Sequence, residues 1–258
     1  MSTKINRLLQ QWSPGTVATS RWLQTQGVGP DLLDGYRKSG WVTSIGWGAA
    51  ARAGDTVQWP GAVQALQRQL ALSVHPGGKT ALTLRGQGHI LPLGRERVCL
   101  FCSAGERLPL WFRKRDWGAD MRVMTTRVFG TDSATGLSAL SLSGIEVRVS
   151  SAERAMMEML YCVPGSESLD EARLVMEGLV ALRPEVVQAL LVQCTSVAVK
   201  RLFLALAEAA NHPWLAGVDT SRITLGSGKR QVVKGGYLEP KYKVTLPREW
   251  KVAEEPNA

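Results

Sequence analysis

The sequence predicts an α+β protein, with a small helical module first and a larger mixed domain after it. Apolar residues recur at helical spacing in the first 75 residues, and strand-like and helical runs then form separate blocks. The chain has 258 residues, 45% of them hydrophobic, which is enough for two buried cores. Residues 75–78 read HPGG and interrupt the helical pattern, so we expect domains at 1–78 and 79–258.

Three helices are predicted in the first module. Four apolar residues share one face of the first helix: Ile5, Leu8, Leu9 and Trp12. Thr19 is a suitable N-cap for a second helix, SRWLQTQ. Pro30 suits the first position of a third helix, PDLLDGYRKS, which buries Leu32, Leu33 and Tyr36 and stops at Gly40.

A hairpin is predicted directly after the third helix. Its strands are WVTSI (41–45) and DTVQW (55–59), separated by the glycine-rich loop GWGAAARAG. Three helices followed by a hairpin is the order of a winged helix-turn-helix, which reads double-stranded DNA. A small helical bundle with solvated charges is the alternative interpretation of the same pattern.

Side chains that the predicted core leaves outward are the candidate DNA contacts. Arg37 and Lys38 suit phosphates or guanine edges, and Asp31 and Asp34 suit cytosine amino groups. Arg52 is predicted at the wing tip, within reach of the backbone or minor groove, with Trp47 packing beside it. The full predicted set is Ser20, Arg21, Gln24, Asp31, Asp34, Arg37, Lys38, Trp47 and Arg52.

The second domain is predicted to contain a β-rich segment, a helical block and C-terminal strands. The strand-like runs are RVCLFCSA, LPLWFRK, MRVMTTRVF and GIEVRVS, while TALTL is ambiguous between strand and helix. Capping boxes are predicted at Ser150 with Glu153 and at Ser168 with Glu171, each opening a helix. The segments RITLG, KRQVVKGG and KYKVTLP are interpreted as a final basic hairpin or small sheet.

The net charge of +9 is unevenly distributed. Residues 150–212 are acidic, with five Lys or Arg against eight acids, whereas residues 220–248 hold seven against one. Two adjacent cations interrupt the acidic block, and others follow it, which predicts a C-terminal basic surface for a polyanion such as DNA. Its residues are Lys200, Arg201, Lys229, Arg230, Lys234, Lys241 and Lys243. Ordinary solvated faces are the alternative.

Motifs for catalysis, metals and cofactors are not recognised. Cys99 and Cys102 form a single CxxC inside a strand-like run, without a second pair or histidines at ligand spacing. GSGK at 226–229 lacks the flanking residues of a phosphate loop. We therefore expect no catalytic residues, no metal and no cofactor. The start has no secretory signal and no apolar run is long enough to span a membrane, so a cytoplasmic protein is expected.

In chain order, several stretches resemble the AbiEi antitoxin family of AbiE-type, type IV toxin-antitoxin and phage-defence systems. They are YRKSGWV, GGKTALTLRGQGHI, VSSAERAMMEMLYCVP, VKRLFLALAEAANHPWL and LGSGKRQVVKGGYLEPKYKVTLP. The resemblance implies an N-terminal winged helix that binds inverted repeats in its own promoter. It also implies a C-terminal domain that counteracts a nucleotidyltransferase-like toxin, and no enzymatic activity.

Two other function classes fit parts of the sequence. A protein-interaction module would neutralise the toxin by direct binding, without recognising an operator. A nuclease or transferase would need an acidic metal cluster, which the sequence does not display. Operator binding by the isolated protein distinguishes the first from the regulator.

Overall fold

A computed structural model describes residues 3–88, 94–130 and 134–251 of the chain. It is a mixed α and β structure, as the sequence predicts, and it divides into two compact units. The first unit comprises Met1–Pro76, Pro92–Thr126 and Ser138–Val149, and the second comprises Gly77–Leu91, Arg127–Leu137 and Ser150–Ala258. The chain passes between the two units at five points, and the first of these, between Pro76 and Gly77, lies close to the predicted boundary after residue 78.

The first unit begins with three helices and three short strands. Their bounds are α1 Lys4–Gln11, β1 Ala18–Thr19, α2 Ser20–Thr25, α3 Pro30–Lys38, β2 Val42–Gly46 and β3 Ala49–Arg52. The strands form an antiparallel sheet in the order β1-β3-β2. This is the element order of a winged helix.

Local sequence explains where these helices start. The Thr3 and Thr19 hydroxyls accept backbone N–H bonds in the first turns of α1 and α2. Pro30 begins α3, where its missing N–H costs nothing. A core of eight buried residues joins the helices to the sheet: Leu8, Trp12, Ala18, Leu23, Val28, Leu33, Val42 and Ala50.

The second strand of the hairpin differs from the prediction. It is β3, AAAR at Ala49–Arg52, and not DTVQW; residues 55–58 are irregular and Trp59 already belongs to the next helix. The three alanines are buried because β3 is the central strand of the sheet. Alanine has low strand propensity, which is why the run was assigned to a loop. The hairpin is therefore shorter than predicted.

The remainder of the first unit adds two helices and five strands. These are α4 Trp59–Gln69, β4 His75–Pro76, β5 Arg97–Ser103, α6 Leu110–Lys114, β6 Asp120–Thr126, β7 Leu137–Leu142 and β8 Ile145–Ser150. The helix between β4 and β5, α5 (Gly78–Leu84), belongs to the second unit. Gln67 on α4 exchanges hydrogen bonds with the backbone of Arg148 on β8, so α4 is fixed to that strand.

LPLWFRK was predicted as a strand, and it forms the helix α6. Strands β5 and β6 are parallel, and a parallel pair requires a crossover connection, which α6 supplies. Trp111 and Phe112 are buried, and the Trp117 indole donates a hydrogen bond to the Phe112 carbonyl (2.8 Å). The apolar run is therefore the inner face of a short crossover helix.

The second unit is predominantly helical. After α5, which settles the ambiguous TALTL as helix, it contains α7 Ala152–Tyr161, α8 Leu169–Gly178, α9 Pro184–Gln193 and α10 Val197–Ala209. Helix α7 is central: it is buried from Ala152 to Leu160 and packs against the other four helices. Ser168 caps α8 as predicted, accepting from the backbone N–H of Glu171.

The predicted capping box at Ser150 and Glu153 is wrong. Helix α7 begins one residue later, with Ser151 at the N-cap and no side-chain cap bond. The Ser150 hydroxyl instead donates to the carboxylate of Glu158, which also accepts from the Arg154 guanidinium and the Gly78 backbone N–H. Glu158 is fully buried, so these partners compensate its desolvation.

The C-terminal strands are fewer than predicted. Strands β9 (Tyr237–Glu239) and β10 (Val244–Leu246) form an antiparallel pair. RITLG begins in a 3-10 turn, and KRQVVKGG contributes only an isolated bridge between Arg230 and Val244. The basic segment is therefore mostly irregular backbone held by side chains.

Candidate nucleic-acid interface

Helix α3 is held to the core by one side and presents the other to solvent. Leu33 is buried, and Leu32 and Tyr36 pack partly against the core. Asp31, Asp34, Arg37 and Lys38 are exposed, as the spacing predicts. The helix therefore has a free polar face of the kind that enters a major groove.

Two of the four charges on that face neutralise each other. The Lys38 ammonium lies 2.8 Å from the Asp34 carboxylate, one helical turn away. The hydrogen bond from Lys38 lowers the pKa of Asp34, and the same bond raises the pKa of Lys38. In the described part of the chain Arg37 has no ion pair, which makes it the available cation of α3.

The tip of the hairpin consists of Gly46, Trp47 and Gly48. The two glycines have positive φ angles of 151° and 83°, which allow the tight reversal. The Ser20 backbone N–H, at the start of α2, donates to the Gly48 carbonyl (2.9 Å). Trp47 is 92% exposed, so the tip projects an indole into solvent from a fixed position.

Arg52 does not lie at the wing tip, contrary to the prediction. It pairs with Val42 at the opposite end of the hairpin. Its guanidinium donates to the Trp12 carbonyl (3.1 Å) and lies 3.9 Å from the Asp55 carboxylate. Trp47 therefore does not pack beside it. The misplacement follows from the register, because the true second strand begins six residues before the predicted one.

An open concavity of about 930 Å³ lies between α2, α3 and the hairpin tip. Five predicted DNA-contact residues line it: Ser20, Arg21, Gln24, Arg37 and Trp47. Asp31, Asp34, Lys38 and Arg52 are not among its lining residues. Among the described residues that line it, two are arginines and none is an acid, so the charge of this lining favours an anion.

Two of the seven predicted C-terminal cations are buried, which corrects the surface assignment. Lys200 is 5% exposed and its ammonium donates to the Thr224 carbonyl (3.1 Å). Arg201 is 2% exposed, and its guanidinium donates to four carbonyls. The acceptors are Leu225, Gly226, Gly228 and Lys243. Both cations hold the C-terminal segment in place instead of presenting charge to a partner.

The other five C-terminal cations differ in their availability. Lys229, Lys234 and Lys243 are exposed. Lys241 is ion-paired with Glu208 (2.6 Å), and Arg230 turns back onto the carbonyls of its own loop. Three lysines thus remain available for a polyanion or an acidic protein.

Metal and phosphate sites are not formed by the described residues. No group of three His, Cys, Asp or Glu residues lies together there. Cys99 and Cys102 are three positions apart on β5, so their side chains point to opposite sides. In GSGK, the carbonyls of Gly226 and Gly228 point at Arg201, an arrangement that satisfies a cation and not a phosphate.

Two family models together match nearly the whole chain. Residues 1–93 match the N-terminal domain of AbiEi transcriptional regulators, and residues 95–247 match the transcriptional regulator and AbiEi antitoxin of type IV toxin-antitoxin systems. The chain belongs to the AbiEi antitoxin family. This AbiEi protein is thus a member of a family of regulators rather than of enzymes.

A solved structure supports the fold of the AbiEi protein. The RV2827C protein from Mycobacterium tuberculosis superposes with a TM-score of 0.59 over 93% of this chain and 88% of that chain, at 14% sequence identity. No curated protein matches the sequence. Within the described ranges, no helix has the length and apolar character needed to cross a membrane.

One element that lines the concavity was not predicted from the sequence. Pro109, Leu110 and Trp111, at the start of α6, line the same concavity as Arg37. A side chain at Gly46 would approach the Trp111 Cβ to 3.0 Å, so the wing lies directly against α6. Pro109 immediately before an apolar run was the available signal, since proline is common at helix starts.

Proposed function

We propose that this AbiEi protein binds double-stranded DNA at inverted repeats in its own promoter through the winged helix of its first unit, and thereby represses transcription. The observation that carries the proposal is the concavity beside α3, whose described lining includes Arg21 and Arg37 and no acidic residue. A sugar-phosphate strand is the polyanion that fits between a helix in the major groove and a wing over the minor groove.

The roles of the candidate residues follow from their exposure. Arg21 and Arg37 bind phosphates or a guanine edge, while the side chains of Ser20 and Gln24, both on α2, donate to the DNA backbone. Asp34 and Lys38 form an internal pair on α3, so their contribution is to register and not to net attraction. Arg52 supports the hairpin and makes no DNA contact in this proposal.

Operator binding is tested with the full-length protein and a labelled duplex from the region upstream of its own gene. We expect Arg37→Ala to weaken binding by about 10-fold. The plot of log affinity against log salt concentration should become less steep by about one unit, which corresponds to the loss of one phosphate contact. Arg68→Ala is the matched control, because Arg68 belongs to the first unit, is paired with Glu146 and does not line the concavity.

Salt dependence and the Arg37→Ala variant together test whether the duplex is recognised through α3. Retention of the duplex that is independent of salt, and equal for the wild type and Arg37→Ala, would contradict specific recognition through α3. A scrambled duplex of the same length measures non-specific attraction. We expect Arg37→Ala and Arg68→Ala to bind it equally, because each variant loses one positive charge.

Toxin neutralisation is the second part of the proposal, and the family description supports it. We propose that the second unit counteracts a nucleotidyltransferase-like toxin encoded next to the antitoxin gene. Lys229, Lys234 and Lys243 supply an exposed basic surface for it. Replacing the three lysines by glutamine is expected to abolish protection from the co-expressed toxin without lowering stability, and unchanged protection would exclude this surface.

A further inference from the structure

Trp47 is unusual because a large apolar ring is held almost entirely in water. It is 92% exposed, more than any other exposed large hydrophobic residue in the described ranges. Gly46 and Gly48 on either side have no side chains to shield it. The indole therefore contributes little to the folded state, and its burial becomes favourable only when a partner covers it.

The wing lacks the cation that would read a minor groove by charge. In the hairpin, residues 42–52, the sole charged side chain is Arg52. That side chain is at the base, where the Trp12 carbonyl and the Asp55 carboxylate hold it. Narrow minor grooves attract arginine or lysine, so this tip requires another mode of contact.

The position of the tip relative to α3 is fixed within the first unit. The bond from the Ser20 N–H to the Gly48 carbonyl ties the tip to α2. Trp47 and Arg37 line the same concavity. If α3 lies in the major groove, as the proposed function requires, we expect the tip to face the adjacent minor groove.

We propose that Trp47 inserts between base pairs from the minor groove as an apolar wedge and kinks the operator. This inference rests on the proposed function of the first unit as a duplex-binding module. Apolar side chains used in this way partly unstack one base step and bend the duplex by about 20–90°. Pyrimidine–purine steps unstack most easily, so we expect a TA or CA step beside each repeat.

The experiment measures bending and unstacking with the full-length protein. The duplex from the upstream region of its own gene carries a fluorophore pair at its ends, for the bend, and 2-aminopurine at candidate steps, for unstacking. We expect the wild type to shorten the end-to-end distance and to raise 2-aminopurine fluorescence at one step per repeat. Trp47→Ala is expected to abolish both signals and to weaken binding by about 10-fold.

Three further variants make the interpretation specific. Trp47→Phe keeps an aromatic wedge and is expected to retain a bend. Trp47→Arg is expected to recover affinity through an additional phosphate contact, with a steeper salt dependence and no bend. Trp41→Ala is the matched control, because Trp41 is a half-exposed tryptophan at the base of the same hairpin, and it is expected to bend the duplex as the wild type does.

The two proposals fail in different ways. Equal bending by the wild type and Trp47→Ala, or a straight duplex under the wild type, overturns the wedge while the loss of affinity in Arg37→Ala still supports the winged-helix interface. Loss of duplex binding by every protein, including the wild type, overturns the interface itself. Unchanged DNA binding by Trp47→Ala together with a lost protein partner would assign the indole to a protein contact and overturn the wedge.

Discussion

Replacing Arg201 by methionine should destabilise the second unit through its C-terminal segment. Arg201 is 2% exposed and donates to the carbonyls of Leu225, Gly226, Gly228 and Lys243. Methionine fills a similar volume and removes every donor. The Lys243 carbonyl would keep the Arg230 backbone N–H as a donor (2.8 Å). The carbonyls of Leu225, Gly226 and Gly228 would then need water or would remain unpaired.

The expected cost follows from those acceptors. A hydrogen bond to a charged group contributes about 1.5–3 kcal/mol, and four such bonds summed without correction would overestimate the effect. Gly226, Gly228 and Lys243 are exposed residues, so water replaces part of the loss. Removing the buried charge also recovers its desolvation penalty. We therefore expect a net loss in free energy of unfolding of about 3 kcal/mol.

Urea denaturation followed by circular dichroism measures the loss, and hydrogen exchange locates it. We expect faster exchange over residues 225–243 in Arg201→Met, with the α7 amides changed much less. Lys234→Met is the control, since it removes one exposed charge from the same segment. A free energy of unfolding for Arg201→Met within 0.5 kcal/mol of the wild type, on the order of an ordinary surface substitution, would refute this account of Arg201.

Two further predictions concern backbone packing and acid stability. Gly61→Ala should lower the free energy of unfolding by about 2 kcal/mol, because a Cβ there would overlap the Gly15 carbonyl. Gly35→Ala, which has open space around it in α3, should raise the free energy of unfolding by about 0.5–1 kcal/mol. Thermal melts compare the two variants, and stability changes of the same sign would contradict the packing. Burial favours the neutral form of Glu153, but hydrogen bonds from the Arg183 side chain and backbone lower its pKa to about 2. The lowered pKa stabilises the folded state by about 3 kcal/mol above pH 5, and this contribution is lost as the pH falls towards 2. Glu153→Gln should therefore reduce the dependence of the free energy of unfolding on pH between 5 and 2. An unchanged pH dependence would exclude Glu153 as its source.

The winged-helix module was predictable because its signals are local. Thr19 caps α2, Pro30 begins α3, and the spacing of Leu32, Leu33 and Tyr36 fixes which face of α3 is free. Each of these depends on residues close in sequence, where capping and periodicity act. The identity of the exposed face of α3 follows from them directly.

The errors have a shared physical cause, which is pairing between residues distant in sequence. The alanines of β3 form a strand only because β1 and β2 lie on both sides of them. Arg201 was assigned to the surface because its type is usually exposed, and its four carbonyl acceptors are 24 or more positions away. Helix α6 is needed as a crossover because β5 and β6 run parallel. Pro109 signals locally where this helix starts, but it does not encode the parallel pairing.

The repeated passage of the chain between the two units determines the order in which they are completed during synthesis. Strand β4, near residue 76, waits for β5 as its partner, and Gln67 waits for the backbone of Arg148 on β8. A nascent chain that ends near residue 78 therefore contains the winged module with its own sheet, β1 to β3, but lacks β5 and β8, the partners of β4 and α4. The ribosome must translate past Val149 before the first unit is whole, so folding during synthesis cannot complete this unit from its N-terminal residues alone.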